Sequence, residues 1–242
     1  MNVNMSDSAK VLLRHALPRY GLLALALLTV AFAQSGAGGW LSIGRDNLCV
    51  TDGAIEQAGE RLSVNVPKMR AYVRAWTAQS IEQRITYVGP TKQESALASG
   101  QMRRQFGLKL RAQDPCNLVY AMWRIDPKSE LVVSVKKNPT QHTSKQCGNH
   151  GYTNIKPRKA SAVPRLQPGQ SHTLRAEMKN EELRVFVDDR PVWEGDVEAG
   201  AKLEGPVGIR SDNVHLEFDL KAGKYQGAHP DSLRACTIGE SD

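Results

Sequence analysis

The sequence predicts an all-β protein, an antiparallel β-sandwich, and three observations lead to this. Short runs in which apolar and polar residues alternate recur between residues 61 and 220. Because successive side chains of a strand point to opposite faces, such runs are typical of strands with one buried and one wet face. Turn-forming residues separate the runs at the spacing of sandwich strands. No helical period of apolar residues lies between them.

The first half of the pattern begins with strands at 61–66 and 71–78, followed by a polar loop at 91–105. A strand at 106–112 then places three apolar side chains on one face. Lys109 lies on the other, polar face. Alternation predicts that this polar face is in contact with water.

A hairpin follows, with strands at 117–125 and 130–138 around an Asp-Pro turn at 126–129. Trp123 falls on the apolar face of the first strand and is interpreted as a core residue. Tyr120 falls on the opposite face, which mixes apolar and charged side chains.

The second half begins with a Pro-, Gly- and Ser-rich connection at 139–170, interpreted as irregular. A strand at 172–178 and a hairpin at 182–196 restore the alternation. Trp193 ends a strand of that hairpin and is interpreted as core.

The run GPVGIRSDNVHLEF at 205–218 is interpreted as a Gly-Pro turn that leads into the last strand. Gly205 and Gly208 would relieve backbone strain at the turn, and Pro206 would fix one dihedral. The run is therefore expected to have an architectural role.

The N-terminus has the pattern of a signal peptide. Basic residues precede a 13-residue apolar run at 21–33, which is too short to span a bilayer of about 30 Å. Ala31-Phe32-Ala33 provides the small residues of a cleavage site. We expect residues 1–33 to direct export to the periplasm or outside the cell, with membrane contact only during export. An uncleaved anchor is the less favoured alternative.

All four cysteines follow this segment, so an oxidising compartment predicts two disulfides, for which three pairings exist. The favoured pairs are Cys116–Cys147, which would clip the hairpin to the following loop, and Cys49–Cys236, which would join the ends of the domain. That domain is expected at 45–222, followed by a tail at 223–242.

Composition excludes several classes of function. With 32 Lys and Arg against 25 Asp and Glu, the net charge of +7 is spread without a basic run of five or more. A nucleic-acid partner is therefore not expected, although anionic surfaces or polysaccharides are mildly favoured. The sequence has no phosphate loop and no nucleophile elbow, and its spacing of cysteines and histidines is not that of a metal site. No cofactor or metal is expected.

The segment 171–220, SHTLRAEM…VFVDDRPVWEGDV followed by GPVGIRSDNVHLEFDL, resembles the concanavalin A-like lectin/glucanase superfamily. The similarity is closest to its laminin-G-like and 3-keto-disaccharide hydrolase-type jelly rolls from bacterial exported proteins. FGLKLRAQDPCNLVYAMWRI resembles the central hairpin of that superfamily, with Arg111 where an arginine is usual. Asp188-Asp189-Arg190 departs from the usual Asp-Gly turn. The resemblance implies a jelly roll over about residues 50–222.

Glycanases of this superfamily carry two glutamates and an aspartate on one strand, and Glu194-Gly195-Asp196-Val197-Glu198 matches that spacing. The context disagrees, because Gly195 weakens a strand and AGAKLEG follows. Glu194, Asp196 and Glu198 are therefore weak catalytic candidates, and a solvated turn is favoured.

Aromatic side chains are the usual platform for a sugar ring. Trp76 and Tyr120 are candidates of this kind. The loop at 138–157 adds His150 and Tyr152 as candidates. Arg111 is the candidate cation. The alternative interpretation of the loop is a surface segment held by a disulfide, without a ligand.

The function predicted from the sequence is non-catalytic binding of a glycan or envelope polysaccharide. A glycoside hydrolase and a laminin-G-like protein-interaction module are the alternatives, because all three fit this fold. The sequence indicates neither the oligomeric state nor the identity of the ligand.

Overall fold

The computed structural model describes residues 39–74 and 77–223. These residues form sixteen strands: β1 (Leu41–Ser42), β2 (Leu48–Asp52), β3 (Glu56–Ala58), β4 (Arg61–Val64), β5 (Lys68–Val73), β6 (Ser80–Pro90), β7 (Arg104–Asp114), β8 (Asn117–Asp126), β9 (Glu130–Lys136), β10 (Tyr152–Asn154), β11 (Lys159–Ala160), β12 (Ser171–Lys179), β13 (Glu182–Val187), β14 (Arg190–Asp196), β15 (Gly208–Asp212) and β16 (Val214–Ala222).

Two short helices, α1 (Ser144–Cys147) and α2 (Glu198–Ala201), and a 3-10 turn at Arg45–Asn47 complete the described elements. Among the described residues, no helix is long and apolar enough to cross a membrane. The predicted signal peptide at 1–33, Trp76 and Cys236 lie outside the described residues.

The strands form two antiparallel sheets, as predicted. The larger has the order β11-β14-β13-β12-β6-β16-β4-β3, with β1 also paired to β16. The smaller has the order β10-β9-β8-β7-β15-β5-β2. We call this smaller sheet the seven-stranded sheet.

The core lies between the sheets and takes one face of each. Phe106 and Trp123 are fully buried in it, with ring centroids 5.5 Å apart. Trp193 is buried in the same cluster. The interpretation of both tryptophans as core residues is therefore confirmed.

Both predicted hairpins are present. β8 and β9 pair around residues 127–129, and β13 and β14 pair around Asp188 and Asp189. These aspartates have φ angles of 49° and 61°, the left-handed conformation that Asp-Gly turns usually provide through glycine. An aspartate therefore takes the position that glycine usually has, and the hairpin still forms.

The interpretation of residues 205–218 as one turn and one strand is wrong. Residues 208–212 form β15 in the centre of the seven-stranded sheet, and β16 belongs to the other sheet. Asn213, with φ of 57°, joins them. Gly208 is needed for space rather than for a turn, because a Cβ there would lie 2.3 Å from the Ala71 carbonyl oxygen, well inside van der Waals contact.

Sequence reasoning also missed β6, the strand between β12 and β16. Its buried face includes Gln83 among Ile81, Ile85 and Tyr87, so a polar residue interrupts the apolar alternation. The connection at 139–170 is less irregular than predicted, since it contains α1, β10 and β11.

Candidate functional site

A cavity of about 920 Å³ lies on the face of the seven-stranded sheet opposite the core. Residues of β2, β5, β7, β8, β9, β10 and β15 line it, together with the connecting segments 97–103 and 144–151. Alternation along each strand sends one set of side chains into the core and the next into this cavity.

The register of the strands places one row of residues across the floor. Tyr72 pairs with Gly208, Gly208 with Lys109, Lys109 with Tyr120, and Tyr120 with Ser134. Because Gly208 has no side chain, the Lys109 side chain has room to reach across β15 to Tyr72.

Lys109 is only 1% exposed, although it lines the cavity. Its Nζ lies 3.8 Å from the centroid of the Tyr72 ring, a cation–π contact. Burial, followed by the positive charges of Arg70 and Arg210, holds the pKa of Lys109 well below its usual range. The expectation that the lysine face of this strand is in water is wrong at Lys109, whose side chain is buried and packed against the Tyr72 ring.

Beside Lys109, a buried aspartate joins two arginines. Asp212 Oδ1 lies 2.6 Å from Nη2 of Arg70, and Oδ2 accepts a bond of 2.9 Å from Nε of Arg210. Gln105 also donates to Asp212, at 2.7 Å. Burial raises the pKa of Asp212, but the two arginines outweigh it and the pKa is far below the usual range.

Tyr120 and Tyr152 form an aromatic platform at one side of the cavity, with rings stacked at a centroid distance of 6.0 Å. Nη1 of Arg210 lies 3.4 Å from the Tyr152 hydroxyl, to which it donates. Burial raises the pKa of Tyr120. For Tyr152 the positive charges of Arg210 and Lys136 outweigh the effect of burial, so its pKa is lowered.

The loop at 138–157 is held to the sheet by covalent and polar contacts. The predicted disulfide Cys116–Cys147 is confirmed. Lys136 Nζ donates to the Gly148 carbonyl at 2.9 Å. Since β10 pairs with β9, Tyr152 stands on the sheet rather than on a free loop.

The described lining of the cavity is strongly basic. Asp52 is the one acidic side chain in it, against eight basic ones: Lys68, Arg70, Arg103, Lys109, Arg124, Lys136, Lys145 and Arg210. Asp212 lies beneath Arg70 and Arg210 and offsets part of this charge. The arrangement is suited to an anionic ligand.

Of the five ligand-binding candidates from the sequence, Tyr120, His150 and Tyr152 line this cavity together. Trp76 lies outside the described residues. Cys49 is buried, and its predicted partner Cys236 is also outside them.

Arg111 is not among the residues that line the cavity. It has φ of 48° at a bulge where the register of β7 and β8 shifts between Leu110 and Asp114. Its Nη2 donates to the Asn180 carbonyl at 2.7 Å. The bulge interrupts the alternation that would have placed Arg111 beside Lys109, so Arg111 does not join Tyr120, His150 and Tyr152 in the lining of this cavity.

The three weak catalytic candidates lie in or after β14, in the other sheet. Glu194 and Asp196 both form ion pairs with Arg158, at 3.3 and 2.9 Å. Strand β14 ends at Asp196, and Glu198 begins α2. Glu194 and Asp196 therefore lie in a paired strand rather than in the solvated turn that the sequence favoured, although the strand does not continue through all three carboxylates.

Lys109, Arg70 and Arg210 were missed as site residues. Their strands alternate correctly, but alternation does not show that loops close over the polar face. No pattern in the neighbouring sequence marked these three positions as site residues. In the part of the chain that the structure describes, no group of three His, Cys, Asp or Glu side chains is arranged to hold a metal.

No protein-family model and no curated protein matches this chain. Among solved structures, it is similar to a carbohydrate-binding module from Bacillus subtilis, with a TM-score of 0.51 and 14% identity over 71% of this chain and 91% of the module. This similarity shows the fold, a jelly-roll β-sandwich.

Two further solved structures are more distant. Domain 4 of an extracellular arabinanase from Geobacillus stearothermophilus, in complex with arabinotriose, has a TM-score of 0.41 and 13% identity over 79% of this chain and 87% of its own. A putative beta-glucanase from Mycobacterium abscessus has a TM-score of 0.41 and 12% identity over 68% of this chain and 75% of its own.

Proposed function

We propose that this protein is an exported, non-catalytic carbohydrate-binding β-sandwich that binds a glycan or envelope polysaccharide in the cavity of the seven-stranded sheet. The observation that carries the proposal is the Tyr120–Tyr152 platform, which borders the cavity and leaves Tyr152 38% exposed. The apolar face of a sugar ring packs on an aromatic ring, while neighbouring polar groups bind its hydroxyls.

Polar groups with suitable positions surround this platform. Ser134 is opposite Tyr120 in the register, and Asn154 is opposite Ser134. Both line the cavity, as does His150. The Bacillus subtilis module shares the fold, which supports the proposal by analogy alone. The N-terminal apolar segment supports export.

The carboxylates in and beside the cavity do not form the pair that hydrolysis needs, which favours binding without hydrolysis. Glycoside hydrolysis uses two carboxyl groups on either side of the scissile bond. The described lining contributes Asp52, and the nearby Asp212 is held by Arg70, Arg210 and Gln105. A protein-interaction module would instead expose a continuous apolar patch.

A glycan array with the full-length chain, produced under oxidising conditions, tests the proposal. We expect binding to a related set of glycans, weakened about tenfold or more in Tyr152→Ala, because loss of one stacked ring costs about 1.4 kcal/mol or more. Trp40→Ala is the matched control, since Trp40 is also 38% exposed and does not line the cavity.

Each glycan bound on the array is then incubated with the protein and analysed for shorter products. Turnover would replace the binding proposal with the hydrolase alternative. A blank array from folded protein, or equal losses in both variants, would contradict glycan binding in this cavity.

A further inference from the structure

We propose that the ligand of this cavity is an acidic glycan and that Lys109 binds its carboxylate or sulfate group. This inference rests on the proposed function and names the class of glycan. It makes Lys109 a ligand-binding residue, a role that a buried polar position in a strand would not suggest.

Lys109 is a buried cation without a paired anion among the described residues. An ammonium group removed from water is costly unless it is paired with an anion or hydrogen-bonded. Among the described residues, its Nζ has no ion pair within 4 Å and donates no hydrogen bond; its contact is the Tyr72 ring. The side chain lines an open cavity, so an anion that enters the cavity can supply the missing partner.

Two of the neighbouring cations, Arg70 and Lys136, already donate hydrogen bonds to several protein groups. Arg70 donates to Asp212 and to the carbonyls of Met69 and Ser211. Lys136 donates to the Pro115 and Gly148 carbonyls. These two groups hold the site together.

Arg210 uses two of its three guanidinium nitrogens in hydrogen bonds to described residues. Its Nε donates to Asp212 and its Nη1 to Tyr152, whereas its Nη2 donates to no described residue. The guanidinium also lies 5.2 Å from the centroid of the Tyr120 ring. It is therefore placed to bind the same anionic group or a hydroxyl beside it.

The buried cation lies next to the aromatic platform. Lys109 and Tyr120 are opposite each other in the register, so the cation and the aromatic platform are neighbours. A sugar ring on the platform would direct a charged substituent toward Lys109. A free phosphate would use the charge without the platform, and a neutral sugar would use the platform without the charge.

Affinities of the full-length protein for two matched pairs test the inference: oligogalacturonate with its carboxyl-reduced counterpart, and sulfated with unsulfated dextran oligosaccharides. We expect one charged member to bind at least about tenfold more tightly than its uncharged partner, a difference of about 1.4 kcal/mol. Lys109→Met should abolish that preference, and Lys109→Arg should retain part of it. Lys179→Met, an exposed site on the other sheet, is the control.

A thermal unfolding measurement separates binding from structure. Because Lys109→Met removes a buried charge without a paired anion, its unfolding midpoint should equal or exceed that of the wild type. A preserved midpoint with lost preference supports a binding role. If Lys109→Met does not fold, the matched pairs measured on the wild type still test the acidic ligand, and Lys109→Arg, which keeps the charge and changes its geometry, tests the role of Lys109: an unchanged preference and affinity in that variant would contradict it.

The outcomes distinguish this inference from the proposed function. Neutral glycans bound on the array with no preference within either pair would overturn the acidic ligand and leave glycan binding in place. A blank array and no binding within the pairs would overturn both. Equal affinity for a single-stranded oligonucleotide of matched charge would overturn recognition of an acidic sugar, because any polyanion would then suffice.

Discussion

At the scale of single residues, the site is organised by buried charges in two different states. Asp212 is fully buried and has a bond from each of two arginines and one glutamine. Lys109 is buried to the same degree and has an aromatic ring as its neighbour. The bonds of Asp212 stabilise the site, whereas Lys109 is a cation with which an anionic ligand can pair.

Asp212→Asn should therefore lower stability, because it leaves Arg70 and Arg210 partly buried without their counter-ion. We expect a loss of about 3–5 kcal/mol in the free energy of unfolding at pH 7, measured by urea denaturation. Asp219→Asn is the control, since Asp219 forms an exposed pair with Arg61 that should be worth about 1 kcal/mol or less.

The same variant has a predicted pH dependence. The pKa of Asp212 is lower in the folded than in the unfolded chain, so its contribution is complete above the ordinary value of about 3.9 and is lost as the pH falls below it. Stability of the wild type should fall more steeply than that of Asp212→Asn in this range. Parallel curves, or a variant as stable as the wild type, would contradict the assignment.

At the scale of elements, a bulge and a disulfide decide which side chains reach the cavity. The shift in β7 between Leu110 and Asp114 directs Arg111 to the Asn180 carbonyl. The Cys116–Cys147 bond, with a separation of 31 residues, holds α1 and the following β10 over the edge of the sheet. The loop thus places Tyr152 against Tyr120.

Removal of this disulfide by the double substitution Cys116→Ala, Cys147→Ala should affect both stability and binding. A closed loop of that length predicts a loss of about 3–4 kcal/mol in the free energy of unfolding, in the chain-entropy description. Glycan affinity should fall as well, in the folded variant, since His150 and Tyr152 lie on the released loop. Unchanged affinity would show that the contacts of Lys136 and Asn138 suffice to hold the loop.

At the scale of the whole molecule, the net charge of +7 understates the local asymmetry. Eight basic side chains line one cavity on one sheet, where a single acidic side chain of the described lining accompanies them. A cleft lined mainly by one sign of charge attracts oppositely charged ligands over a distance and accelerates their association.

Salt should therefore affect the two classes of glycan differently. Between low salt and about 1 M salt the screening length falls to roughly 3 Å, so the association rate of an acidic oligosaccharide should fall about tenfold or more, with little change in its dissociation rate. Stopped-flow measurements at several NaCl concentrations would check this. A neutral oligosaccharide is the control, and an equal decline for it would contradict electrostatic steering.

Much of the architecture could be predicted from local patterns. The hairpins, the core positions of Trp123 and Trp193, and the Cys116–Cys147 pair follow from alternation, turn residues and cysteine spacing. Of the residues that line the cavity, Tyr120, His150 and Tyr152 were named as candidates from the sequence, whereas Lys109 and Arg210 were assigned to wet or architectural positions and Arg70 to no element. Nothing local distinguishes a polar strand face in water from one that loops cover.

By itself, the sequence determined that this chain forms antiparallel strands with one apolar face each. The alternation of apolar and polar residues that shows this is a property of neighbouring positions in the chain. Only the tertiary structure decided which strands share a sheet, and hence that Gly208–Asp212 lies between β7 and β5. That placement brings Arg210, which is about 90 residues further along the chain, beside Lys109 and Tyr120 of the consecutive strands β7 and β8. Their proximity is a property of strand order and register, which depend on contacts across the whole sandwich.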